Sequence, residues 1–123
     1  FFRDTGNAES QIPIILTVLK VLTETGISFS QLVDQYRRSF ESGEINFKVT
    51  NSKDILESAK EKYANGRVET MDGVAVSFPS WRFSLRSSNT EPLLRLNIES
   101  LNKKEMSQKK AELIKLIKSV SKA

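Results

Sequence analysis

The chain of 123 residues contains no cysteine and no histidine. Without cysteine there is no disulfide framework and no thiol chemistry, which suits a cytoplasmic setting. Without histidine, the commonest metal ligand and the commonest acid–base group near neutral pH are both missing. Long apolar runs are lacking too: the most apolar stretch, Ile12 to Leu22, is too short to span a bilayer and is interrupted by Pro13 and Lys20. No signal-peptide pattern is seen, so the expected location is cytoplasmic. The charge is only mildly one-sided, at +4. That balance is compatible with an anionic ligand and does not require nucleic acid. The length allows one modest core.

The apolar spacing sets out the elements. A first helix is expected from about Ser10 to Thr25, with Pro13 tolerated in its first turn and Gly26 past its end. Its Ile, Leu and Val residues cover too much of the circumference for one stripe, so it calls for burial on more than one side. A short helix from Ser30 to about Arg38 follows, capped by Ser28 or Ser30. Ser39 to Glu44 reads as a linker from its Ser, Gly and charge content. From Ile45 the pattern alternates; Thr50, Asn51 or Ser52 then caps a helix carrying Ile55, Leu56, Ala59 and Tyr63 inward. Asp72-Gly73, flanked by Arg67–Met71 and Val74–Phe78, is the strongest short hairpin signal. Two further strands lead through Trp81 and Leu94. The last helix starts near Lys103 and aligns Met106, Leu113, Ile114, Ile117 and Val120 on one face. The sum is an α+β arrangement, an antiparallel sheet of about four strands with helices on one face.

Between the last two strands lies Arg86-Ser87-Ser88-Asn89-Thr90-Glu91-Pro92, followed by Arg95. Trp81, Phe83 and Leu85 alternate with Arg82, Ser84 and Arg86; Leu94, Leu96 and Ile98 alternate with Arg95, Asn97 and Glu99. If the apolar set faces the core, both Arg86 and Arg95 stand on the opposite face, beside the loop. Guanidinium forks, short hydroxyls, an amide and free backbone N–H groups are the donors that hold a phosphate. On composition alone, an ordinary polar turn accounts for the same residues.

The stretch Phe83–Glu99, FSLRSSNTEPLLRLNIE, resembles the phosphate-binding loop of the α-D-phosphohexomutases, Arg-x-Ser-(Asn/Gly)-Thr-Glu-Pro before a strand. Thr70-Met71-Asp72-Gly73-Val74-Ala75-Val76, then Trp81, resembles the hairpin preceding that loop in the phosphomannomutase/phosphoglucomutase branch. Phe1-Phe2-Arg3-Asp4, with Ala8-Glu9-Ser10, is similar to the segment after the family's sugar-recognition loop. The resemblance implies that residues 1–38 are the helical tail of the third phosphohexomutase domain with its hinge. Residues 39–123 would then be the C-terminal phosphate-binding domain.

Carried over by motif position, Arg86, Ser88, Asn89 and Thr90 are the implied substrate phosphate contacts. Ser87, Glu91 and Arg95 are possible supports: Glu91 would orient an arginine or brace the loop, and Arg95 would touch ligand or pair with Glu91. The implied parent enzyme interconverts hexose 1- and 6-phosphates, of mannose or glucose, through a bisphosphate intermediate. Its phosphoserine donor and its Mg²⁺ loop match nothing here, so no catalytic residue and no metal ligand are expected in this chain, and the chain alone is expected to be inactive. The missing N-terminal domains would be its partners, with no nucleic acid or membrane. A phosphoglucosamine mutase branch is the alternative within the family. Outside it stands a small basic module binding nucleic acid or an anionic surface through the lysine-rich last helix, although Glu105 and Glu112 interrupt that charge.

Overall fold

A computed structural model describes residues 10–122. The expected matches at Phe1-Phe2-Arg3-Asp4 and Ala8-Glu9 lie outside the described residues. The chain divides into two compact units, residues 1–37 and 38–123.

The first unit carries helices α1 (Ile12–Thr25) and α2 (Phe29–Tyr36). Pro13 sits in the first turn of α1, where its missing N–H costs nothing. Gly26 closes the helix in the left-handed region at φ 67°, donating its N–H to the Leu22 carbonyl. Ser28 begins α2 with a capping box: its hydroxyl accepts from the Gln31 N–H, and the Gln31 side chain accepts from the Ser28 N–H. Ile12, Ile14, Ile15, Leu16 and Leu19 remain exposed on α1. No single helix among the described residues is long and apolar enough to cross a membrane.

The second unit is built from β1 (Phe40–Glu41), β2 (Ile45–Lys48), α3 (Ser52–Lys62), β3 (Arg67–Glu69), β4 (Val74–Ser77), β5 (Trp81–Ser87), β6 (Leu93–Ser100) and α4 (Lys103–Val120). The sheet is antiparallel with order β1-β6-β5-β4-β3, and β2 also pairs with β6. Glu41 partners Glu99 while Ile45 partners Leu96, so β1 and β2 lie end to end along one edge of β6. At the other edge β3 is a short hairpin strand. The two-residue β1 falls inside the segment that composition marks as a linker. Its pairing is carried by backbone groups, which Ser, Gly and charge content do not report.

Both α3 and α4 cover one face of the sheet. Trp81, Phe83 and Leu85, with Leu94, Leu96 and Ile98, are buried there against Ile55, Ala59, Leu113 and Ile117. Leu85 and Leu96 are cross-strand partners, so the two longest strands lock together through the core. At one end of this layer Tyr63, Phe78, Trp81 and Phe83 form an aromatic cluster, with Phe78 stacked on Trp81 at 4.6 Å. Trp81 is thereby a core anchor. Burial, and secondarily the Glu112 charge, push the Tyr63 hydroxyl to a higher pKa.

Asn51 joins the two helices. Its side-chain N–H donates to the Val120 carbonyl at 2.9 Å, and its side-chain oxygen accepts from the Lys122 N–H at 2.8 Å. It therefore caps the C-terminal end of α4 and makes no side-chain cap to α3. At the N-terminus of α4, Asn102 accepts from the backbone of Lys104 and Glu105.

The expected Asp72-Gly73 turn takes a different form. Glu69 pairs with Ala75, which leaves Thr70 through Val74 outside the β3–β4 ladder, a longer loop than a two-residue turn. Gly73 is in the left-handed region at φ +86°, but its position is set by β5, against whose backbone it is pressed.

Candidate functional site

Strand alternation delivers the expected separation of faces. With Trp81, Phe83 and Leu85 buried, Arg82 and Arg86 stand on the uncovered face; with Leu94, Leu96 and Ile98 buried, so do Arg95 and Glu99. The register then makes Arg86 and Arg95 direct cross-strand partners. Like charges placed opposite one another weaken a sheet, by roughly 0.2–1 kcal/mol at such a pair. An anion between them reverses the sign of that interaction.

The carboxylates nearby answer this charge only in part. Asp72 Oδ2 accepts a hydrogen bond from Arg86 Nη1 at 3.2 Å. Glu44 Oε1 lies 3.8 Å from Arg95 Nε, beyond hydrogen-bond length, and also accepts from the Asn46 amide. Arg95 Nε is buried and has no hydrogen-bond partner. Glu91, expected to orient one of these arginines or to brace the loop, pairs with neither arginine among the described residues, and its backbone carbonyl accepts from the Leu93 N–H at 2.7 Å. Asp72 takes its position because the β3–β4 hairpin tip reaches the loop end of the sheet, and Glu44 because β2 starts beside Arg95, with Ile45 opposite Leu96 and Asn46 opposite Arg95. Neither residue was legible as a partner, since each lies far from the loop in sequence.

The loop itself is compact. The Ser88 N–H donates to the Leu93 carbonyl at 2.8 Å, and the Pro92 carbonyl accepts from Val49, tying the loop to the end of β2. The Ser88 and Thr90 hydroxyls lie 3.4 Å apart, and the Thr90 N–H points to Ser88 Oγ. Among the described residues, the N–H groups of Asn89 and Glu91 have no acceptor. Arg86, Ser88, Thr90 and Arg95 are thus gathered at one end of the sheet, with Asn89 exposed in the connecting loop. Ser87 is different: it has the parity of Leu85, so its side chain belongs to the helix-covered face, away from the arginines.

Two other features compete for attention. A concavity of about 280 Å³ on the same uncovered face is walled by Glu41, Glu69, Arg82 and Glu99. Its acidic excess disfavours an anion. Arg82 is already committed there, donating to Glu99 at 2.7 Å, and hydrogen bonds from Ser39 and then Arg82 hold the Glu99 carboxyl below its usual pKa. On α4, Lys109 pairs with Glu112 at 3.0 Å and lies over the Trp81 ring, so it serves packing. No three Asp or Glu residues converge as a metal site among the described residues. The Mg²⁺ that the resemblance implies for the parent enzyme is expected outside this chain, and the arginines and hydroxyls gathered at the loop are not a donor set that would hold it.

Residues 44–116 match the family "Phosphoglucomutase/phosphomannomutase, C-terminal domain". The chain is 38% identical over 117 residues to a phosphomannomutase of Methanocaldococcus jannaschii, an alignment covering 95% of this chain and 26% of that protein. It is 45% identical over 123 residues to a phosphomannomutase of Vibrio cholerae, covering 96% of this chain and 27% of that protein. The chain therefore spans about a quarter of the length of these relatives. A crystal structure of a phosphoglucomutase/phosphomannomutase family protein from Burkholderia thailandensis shares the fold, with TM-score 0.57 at 22% identity, over 74% of this chain and 20% of that one.

Proposed function

Since the chain belongs to the phosphoglucomutase/phosphomannomutase C-terminal domain family, we propose that its loop between β5 and β6 binds the phosphate of a hexose phosphate. The observation that carries this reading is the cross-strand pairing of Arg86 with Arg95, incompletely neutralised, beside the Ser88 and Thr90 hydroxyls. Arg86 supplies charge-assisted hydrogen bonds in a planar fork that matches two phosphate oxygens. Ser88, Asn89 and Thr90 supply neutral donors, and the free loop N–H groups close the remaining side. Arg95 adds charge from the facing strand.

In a longer enzyme of the phosphomannomutase type, this clamp holds the phosphate that is not reacting. A phosphoryl group passes between the 1- and 6-hydroxyls of the sugar through a bisphosphate, with the chemistry carried by other parts of that enzyme. Binding energy gathered at the quiet phosphate aligns the reacting end. Because the clamp addresses only phosphate, it serves either end of the sugar as the intermediate reorients. Residues 39–123 act as the phosphate-binding domain and residues 1–38 as the tail and hinge of the domain before it.

Calorimetric titration of this chain with inorganic phosphate, mannose 6-phosphate and glucose 6-phosphate tests the reading. Arg86→Ala is expected to weaken all three by about ten- to a hundredfold, the value of hydrogen bonds to a charged group. Equal affinity in the variant contradicts the assignment.

A further inference from the structure

The tip of the β3–β4 hairpin meets Arg86 twice. A Cβ added to Gly73 would lie 2.1 Å from the Leu85 carbonyl oxygen and 3.0 Å from Arg86 Cα, so only glycine lets the tip approach strand β5 this closely. From the adjoining residue, Asp72 Oδ2 accepts from Arg86 Nη1 at 3.2 Å. Among the described residues nothing else bonds the Arg86 guanidinium. Strand alternation decides the face on which Arg86 stands but leaves a long, half-exposed side chain free to disperse over its rotamers. A carboxylate mounted on backbone that is itself seated against the strand removes that freedom. It engages one terminal nitrogen and leaves the other guanidinium donors available.

On the phosphate reading given above, on which this rests, we infer that Asp72 is a positioning residue for Arg86, and that Gly73 is what brings it within reach. Its negative charge alone repels an incoming phosphate. Its contribution is therefore geometric, and geometry and charge are separable by substitution. Asp72→Asn keeps an oxygen acceptor and loses the charge; Asp72→Ala loses both.

The test combines ¹⁵N–¹H spectra of the Arg86 guanidinium in the phosphate-free chain with titration of inorganic phosphate. In the wild type the Arg86 signals are expected to be displaced from those of a free arginine side chain, and Asp72→Asn should keep them so. Asp72→Ala should return them to the free position and weaken phosphate binding about three- to fivefold, the ceiling for an exposed ion pair. Asp72→Asn should bind at least as tightly as wild type. Unchanged Arg86 signals in Asp72→Ala overturn the inference whatever the affinity does, and so does tighter binding in both variants, which makes Asp72 an electrostatic competitor only. Arg86→Ala separates the two levels. If it leaves phosphate binding intact, the phosphate reading fails, while the guanidinium spectra of the phosphate-free chain still decide whether Asp72 positions Arg86.

Discussion

The same two strands carry opposite charge arrangements at their two ends. At one end Arg82 faces Glu99, the register partner that neutralises it, at 2.7 Å and with Ser39 bonded to the same carboxylate. At the other end Arg86 faces Arg95, and the carboxylates that answer them stand at 3.2 and 3.8 Å and come from elsewhere in the fold. Cross-strand pairing rules apply equally to both. One end obeys them and is a structural ion pair; the other departs from them beside a loop of hydroxyls and free amides. Departures of this kind are expected at functional sites, and on the proposed reading an incoming phosphate completes this one.

The largest effect comes from breaking the scaffold that both ends share. Leu96 is fully buried and is the register partner of Leu85 between them. Leu96→Ala is expected to cost about 2–5 kcal/mol in urea unfolding, leaving a cavity the sheet cannot collapse into. Next, Arg95→Gln removes one of the two like charges without setting a carboxylate against Glu44. It should weaken phosphate binding while raising stability by about 0.2–1 kcal/mol, read from the urea midpoint in phosphate-free buffer. A loss of both stability and binding would mean that Arg95 is held by packing and that the like-charge argument is wrong. Arg82→Ala, at the satisfied end, should change the phosphate dissociation constant by less than about twofold, since an exposed pair beyond the Debye length contributes little to binding elsewhere.

The smallest effect is the pH response of the satisfied end. Hydrogen bonds from Ser39 and Arg82 lower the folded-state pKa of Glu99, and those from Ser100 and Ser80 lower that of Glu105. Each carboxylate stabilises the fold above its unfolded pKa, and that contribution is lost as pH falls from there through the lowered folded value. Urea midpoints should therefore fall in acid, and Glu99→Gln and Glu105→Gln should flatten the fall. An acid response untouched by both substitutions would assign it to other groups.

Much of this contrast was legible in the sequence because strand alternation is local. The parity of Trp81 to Arg86 and of Leu94 to Glu99 puts the arginines on one face from sequence alone, and the inner faces of α3 and α4 follow from apolar spacing. The register that sets Arg86 against Arg95, and Arg82 against Glu99, comes from the tertiary pairing of β5 with β6 and the loop length between them. Asp72 and Glu44 were out of reach for the same reason: their partners are chosen by where the hairpin tip and β2 dock. The Asp-Gly pair predicts a tight turn at Gly73, whereas the structure has a longer loop in which both the φ of +86° and the close approach to Leu85 demand glycine. Ser87 belongs to the loop motif by sequence order, while its parity assigns its side chain to the covered face.

The most direct measurement is an NMR titration of the chain with inorganic phosphate, following backbone and arginine side-chain signals at both ends of β5 and β6. Shifts confined to Arg86 through Glu91 and to Arg95, with Arg82 and Glu99 unmoved, are the expected result. Shifts centred on Arg82 and Glu99, or a folded sample in which the Arg86 loop stays silent as phosphate is raised, would contradict it.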